Sequence, residues 1–223
     1  MSRFLTEYQL NFWERILAPA FVATIEMVII TTILGTIFGF LVAVVLLVTD
    51  KDGIHPNRFI YGLVSFIVNV IRSFPFLILM IFLLPFTKLV VGTSIGVRAA
   101  VVPLIVSATA FIAKLIVNAM QEVDKGLIEA MKSFGISEAQ VVFKVMFSEA
   151  MPAIISGVIL AMVAILGSTA MAGAMGAGGI GSVAITYGYQ KFNEVVMVLT
   201  AGILIVFVQL IEIVGKWVYR KMK

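Results

Sequence analysis

Long uncharged stretches dominate the pattern of hydrophobic and polar positions along this chain. Residues 27–49 contain no charged side chain, and residues 150–190 form the longest uncharged run. Because about 20 apolar residues are needed to cross the ~30 Å hydrocarbon core of a bilayer, these runs indicate membrane-spanning helices. The pattern predicts five spans, at about residues 20–49, 59–86, 99–118, 150–172 and 195–217.

Glycine and proline divide the longer apolar runs. Five glycines fall within residues 173–181, GAMGAGGIG, where they remove the preference for helix. We therefore expect the fourth span to end near Met171 and residues 173–194 to form a loop or a re-entrant element. The second run is longer than a bilayer requires, so it predicts a tilt or a kink at Pro75. In the first span, the segment GTIFG predicts a close-packing face at Gly35 and Gly39.

Composition agrees with a membrane protein. Hydrophobic residues make up 61% of the 223 positions and charged residues 13%, and the mean hydropathy is +1.14. A chain this apolar cannot bury its side chains in one water-soluble core, so we expect an all-α membrane protein with a single transmembrane domain over residues 1–223. Residues 1–17 mix aromatic and charged positions as an amphipathic interfacial helix does, and we expect no cleaved signal peptide.

The basic residues predict the orientation. Five spans place ten Lys and Arg residues on the side of the central loop and the C-terminus, and five on the other side. The side richer in Lys and Arg is normally cytoplasmic. We therefore expect the N-terminus outside and the C-terminus inside. The formal net charge of +4 is then a signal of topology, and no nucleic-acid partner is expected.

Residues that carry catalytic or metal chemistry are scarce. The chain has no cysteine, and its single histidine, His55, lies in the polar stretch DKDGIHPNR. Walker A, His-Glu-x-x-His and Ser/His/Asp patterns are missing from the sequence, so we expect neither a metal site nor an enzyme that hydrolyses ATP by itself. Residues 176–181 match Gly-x-Gly-x-x-Gly, but an apolar helix precedes them instead of a strand, which argues against a dinucleotide site.

A polar stretch interrupts the hydrophobic chain between about residues 119 and 149. Its first helix is predicted to begin at Asp124 and to stop at Gly135, a suitable left-handed C-cap. Ser137 followed by Gln140 is a capping-box pattern, so a second helix is predicted to start there. On physical grounds, two interpretations stay open: a rigid projection that enters a partner's groove, or two helices that lie on their own bundle.

The stretch EAMKSFG, followed nine residues later by VMFS, resembles the EAA loop of ABC importer permeases. Glu129, Ala130 and Gly135 match that pattern, whereas Met131 replaces its second alanine and Ser148 its proline. The resemblance implies a coupling helix that inserts into a cytoplasmic ATPase subunit. It assigns ATPase docking to Glu129, Ala130, Met131, Gly135 and Ser137.

The resemblance extends along most of the chain. The segments 69–96, 118–130 and 167–192 are similar to the permease subunit of methionine ABC importers. This family implies a five-span permease that works with a second copy of itself, two ATPase subunits and an extracytoplasmic substrate-binding protein in a bacterial inner membrane. ATP and Mg²⁺ are then bound by the ATPase partner, and no cofactor is bound by this chain.

The transport pathway is harder to assign. A gate segment on the outer side is one interpretation of the glycine-rich stretch, and a plain turn is the other. Arg72, inside a span, is interpreted as a structural charge that holds the kinked helix to a neighbour, with substrate contact as the alternative. The candidate pathway or gate residues are Met162, Met171, Met175, Gly176, Gly178 and Gly179.

Other functions explain less of this sequence. A permease for another small amino acid needs the same features, so the residues leave it open. A passive channel or an ion-coupled carrier would favour paired acids or broken helices at the membrane midplane, for which Glu26 alone is weak support. A structural scaffold leaves the pattern of the polar loop unexplained.

Overall fold

The computed structural model describes residues 12–221, which contain helices and no strand. The amphipathic helix predicted for residues 1–17 therefore lies mostly outside the described residues. The helices, in chain order, are α1 (Trp13–Thr49), α2 (Arg58–Ser73), α3 (Phe76–Phe82), α4 (Leu84–Val91), α5 (Val97–Gln121), α6 (Lys125–Ser133), α7 (Glu138–Ala174), α8 (Gly179–Val183) and α9 (Glu194–Lys221).

Four of the described helices, α1, α5, α7 and α9, are long and apolar enough to cross a membrane. Helices α2 and α3 pass the same test as a pair, bent by 111°, and would make a fifth span. The predicted kink at Pro75 is confirmed, because Phe74 and Pro75 both have extended backbone between the two helices. Proline has no N–H to donate and disfavours helix at the residue before it.

Helix α7 begins earlier than a membrane span alone requires. The second helix of the polar stretch, predicted to start at Ser137, continues without a break into the fourth span and ends at Ala174. The helix also passes through Pro152. Residues 138–146 are thereby fixed rigidly to a membrane helix.

The described residues form two compact units. The first comprises the chain up to Ile33, Pro75–Ile105 and Met162–Ile211. The second comprises Leu34–Phe74, Val106–Ala161 and the chain from Glu212 onward.

Each unit has its own close packing. In the first unit, Met27, Leu104 and Ala172 belong to one buried apolar cluster. In the second, a Cβ built on Gly35 would lie 2.8 Å from the Cβ of Ala108, so α1 and α5 pack with almost no space between them. This contact confirms the close-packing face predicted from GTIFG.

Candidate functional site

Helix α6 is capped at both ends by its own sequence. The Asp124 carboxylate accepts a hydrogen bond from the Leu127 N–H at 2.9 Å, which satisfies a free backbone donor of the first turn. Gly135 follows the last turn with φ +79°, a left-handed conformation that costs a side-chain-bearing residue about 1 kcal/mol. Both predicted ends of the helix are confirmed.

The start of α7 is a capping box. The Gln140 N–H donates to Ser137 Oγ at 3.4 Å, and the Ser137 N–H donates back to Gln140 Oε1 at 3.2 Å. The predicted cap is thus confirmed. With Gly135 just before it, this cap fixes where the chain turns from α6 into α7.

The exposed side of α6 and the turn carries the predicted docking residues. Glu129, Ala130 and Ser137 are exposed, and Met131 is half-buried. Phe134, which the sequence pattern did not single out, is 79% exposed. An aromatic ring this accessible beside a polar helix is a candidate anchor for a partner protein.

The second unit also contains a groove of about 390 Å³ beside this turn, part of which comes from the loop that follows α1. Glu129 faces a cleft whose walls contain carboxylates, the Lys125 ammonium group and apolar side chains. The lining residues are Leu47, Asp50, Asp52, Gly53, Ile54, Met120, Gln121, Val123, Lys125, Ile128, Glu129, Glu138, Val141, Val142 and Met146.

In the first unit, the glycine-rich segment folds back tightly against α1. The Ile180 N–H donates to Thr24 Oγ1 at 2.9 Å, and the same hydroxyl donates to the Ala20 carbonyl at 3.1 Å. A Cβ on Gly179 would lie only 2.8 Å from Thr24 Oγ1. A buried hydrogen bond thus holds the segment against α1. The close approach is possible because Gly179 has no side chain.

The backbone of this segment requires glycine. Gly176, Gly178 and Gly179 have φ of +84°, +80° and +81°, values that other residues rarely adopt. The Gly96 N–H donates to the Gly176 carbonyl at 3.0 Å, which ties the segment to the chain just before α5. Residues 179–189 continue as α8 and a π-helical turn, so the predicted loop or re-entrant element contains helix.

The three candidate methionines lie in different surroundings. Met175 packs against the buried cluster of the first unit, next to the glycines. Met171 is 50% exposed, and Met162 is half-buried. Because nine residues at about 100° each amount to half a turn beyond two full turns, Met162 and Met171 lie on opposite faces of α7. They cannot both line one path along that helix.

Charged side chains in the membrane helices differ in whether they have an ionic partner. Arg72 is exposed in the last turn of α2, and within residues 12–221 no carboxylate forms an ion pair with it. Its interpretation as a structural link stays a prediction. On α9, Glu212 and Lys216 have the i,i+4 spacing of a helix ion pair, and Lys216 Nζ lies 3.4 Å from Glu212 Oε2.

Comparisons with known proteins agree on one family. The family described as "Binding-protein-dependent transport system inner membrane component" matches residues 35–223. A probable D-methionine transport system permease protein, MetI of Vibrio cholerae, is 40% identical over 198 residues, which cover 89% of this chain and 88% of that protein. The methionine import system permease protein MetP of Bacillus subtilis is 40% identical over 170 residues, covering 76% of this chain and 77% of the relative.

Solved structures support the same assignment. An inward-facing structure of the MetNI methionine ABC transporter has a chain 38% identical to this one, with a TM-score of 0.89 over 95% of this chain and 98% of that chain. An amino acid ABC transporter crystallised with histidines is 19% identical, with a TM-score of 0.79 over 97% of this chain and 96% of that chain, and shares the fold. The family match spans well over half of the sequence, and the chain belongs to the inner membrane components of binding-protein-dependent transport systems.

Proposed function

We propose that this chain is the membrane-spanning permease subunit of an ATP-driven importer for methionine, in its D or L form or both. Relatives named as methionine permeases cover most of its length at about 40% identity, which supports this substrate over another small amino acid. The chain forms the path through the membrane and catalyses no reaction itself.

The exposed surface made by α6, Gly135 and the start of α7 is the observation that carries the proposal. Glu129 and Ser137 present polar groups there, and Phe134 an exposed ring. The cap at Asp124, the left-handed Gly135 and the capping box hold this surface in one shape, so little ordering is required when a partner binds. We assign this surface to docking of the ATPase.

The energy for transport comes from that partner. The sequence contains no Walker A motif, so ATP and Mg²⁺ bind to the ATPase. We propose an assembly of two copies of this chain with two ATPases in the cytoplasm and one substrate-binding protein outside, surrounded by membrane lipid. Movement of the ATPases is transmitted through Glu129 and Gly135 into the continuous helix α7.

The orientation follows from the same assignment. An ATPase in the cytoplasm requires α6 to face the cytoplasm, and the excess of Lys and Arg on that side agrees. The N-terminus is then outside and the C-terminus inside. With this orientation, the glycine-rich segment lies towards the outer end of the pathway, where we propose that it acts as a gate held to α1 by Thr24.

The substrate is tested by competition. Proteoliposomes that contain this chain, its ATPase and its binding protein are supplied with ATP and labelled methionine, and each unlabelled amino acid is added in excess. We expect unlabelled methionine to abolish uptake of the label and a polar amino acid such as glutamine to leave it unchanged. Strong competition by glutamine and none by methionine would contradict the proposed substrate.

A further inference from the structure

A second groove in the second unit, of about 330 Å³, lies between α7 and α9. A Cβ built on Gly215 would lie 2.6 Å from Cδ1 of Ile159, so the two helices are in very close contact at this point. A volume of about 300 Å³ is the lower end for sites that hold small molecules. The lining residues are Ser156, Ile159, Glu212, Gly215, Lys216, Tyr219 and Arg220.

This groove lies near the end of a helix that is longer than the membrane core. Helix α9 has 28 residues, or about 42 Å, against ~30 Å of hydrocarbon. Its last turns therefore extend to the level of the lipid headgroups. Trp217 is 58% exposed, and Lys221 Nζ lies 3.8 Å from the centre of its ring, a combination typical of the interface.

The charges around the groove favour an anion. Lys216 and Arg220 line the groove with two cations, and Glu212 lines it with one carboxylate, which pairs with Lys216. No carboxylate in the described part of the chain forms an ion pair with Arg220. Its planar guanidinium group is therefore available for the two parallel hydrogen bonds that phosphate oxygens accept.

Two neutral side chains with hydroxyl groups, Ser156 and Tyr219, also line the groove. The Ser156 hydroxyl donates to the Pro152 carbonyl at 3.0 Å, so its proton is already used. The Tyr219 hydroxyl lines the groove and can donate to a phosphate oxygen. The donors for an anion are thus Arg220, Lys216 and Tyr219, all on one face of α9, with Ile159 as an apolar wall on α7.

We propose that this groove binds the phosphate of an anionic phospholipid headgroup, with Arg220 as its main contact and Lys216 as the second. The acyl chains lie along the apolar surface of α9 below the groove. Basic pockets between membrane helices are suited to such headgroups. Only the choice of leaflet, the cytoplasmic one, rests on the proposed function and its orientation.

The test measures lipid binding directly. Phosphatidylglycerol is titrated into the purified transporter, permease with ATPase, and bound lipid is counted by native mass spectrometry. We expect Arg220→Gln to weaken binding about fivefold, the effect of one basic residue beside an anionic lipid. Lys216→Gln should weaken it less, because Lys216 already pairs with Glu212. Arg98→Gln removes the same charge from an exposed position in the first turn of α5 and should leave binding unchanged.

Two results would overturn the proposal. Equal losses in all three variants would show that only diffuse surface charge attracts the lipid. Displacement of the lipid by inorganic phosphate at similar concentrations would show a site for free phosphate instead. Because this measurement needs no transport, a failure of the proposed methionine import would leave its result intact.

Discussion

At the residue scale, Thr24 and Gly179 hold the glycine-rich segment against α1. Thr24 Oγ1 accepts from the Ile180 N–H and donates to the Ala20 carbonyl, so both roles of the hydroxyl are used inside a buried site. A buried amide that loses its partner costs about 1–3 kcal/mol. The position of the proposed gate therefore depends on one threonine and on the space beside it.

A substitution at Gly179 tests this arrangement. Gly179→Ala places a methyl group 2.8 Å from Thr24 Oγ1 at a φ of +81°. We expect it to lower the free energy of unfolding by about 1–3 kcal/mol. The measurement is the thermal unfolding of the purified protein in detergent.

Gly62→Ala is the matched control. Gly62 lies inside α2, and apart from Gly62 itself, its chain neighbours and the adjoining backbone of α2, no described atom lies within 4 Å of a Cβ built there. Alanine favours helix over glycine by about 1 kcal/mol, so this variant should be as stable as the parent or more stable. Equal destabilisation by both variants would mean that the contact with Thr24 contributes nothing.

The sequence indicates some of these residues and not others. Gly176, Gly178 and Gly179 stand out because glycines cluster there, and Asp124, Gly135 and Ser137 follow local capping rules. The partner of Ile180 was not predictable, because Thr24 lies 156 positions away and an isolated threonine in an apolar helix carries no signal. The exposure of Phe134 depends on how α6 packs, which no local pattern shows.

At the scale of elements, α6 and the start of α7 form the surface that we assign to the ATPase. The turn at Gly135 determines the direction of one helix relative to the next. Since α7 continues unbroken from Glu138 to Ala174, a force applied near this turn acts on a membrane helix. Coupling then depends on the fixed conformation of the turn at Gly135.

Proline at this turn should break the coupling. Gly135→Pro is incompatible with φ +79°, because the ring fixes φ near −65°. We expect weaker co-purification of the ATPase, or ATP hydrolysis that no longer drives uptake. Co-purification of the ATPase is measured on the purified complex. ATP hydrolysis and uptake are then measured on proteoliposomes made from it.

Gly92→Pro provides a control with the same backbone conflict. Gly92 follows α4 with φ +76°, in the first unit and outside the polar stretch. This variant should keep the ATPase bound. Loss of the ATPase in both variants alike would point to general misfolding and against a specific role for the turn at Gly135.

At the scale of the whole molecule, hydrophobic runs predict four of the spans, α1, α5, α7 and α9, because the bilayer imposes a length on each helix. They do not predict the break at Leu83 between α3 and α4, which lies just before Pro85 in a run that otherwise continues. Nor do they predict that α7 joins the polar stretch to a span. Glu138 and Lys144 lie outside the hydrophobic run, whereas the helix includes them and continues into the membrane.

We propose that Glu129 on α6 couples an ATPase to methionine transport. The most direct measurement is uptake of labelled methionine by proteoliposomes that contain the full transporter, with and without ATP, for the parent and for Glu129→Lys. We predict ATP-dependent uptake by the parent and at least a tenfold loss, about 1.4 kcal/mol or more, in the variant, because a charge-assisted contact becomes a repulsive one. Uptake that needs no ATP, or a variant that transports at the parent's rate, would show that Glu129 does not couple an ATPase to transport.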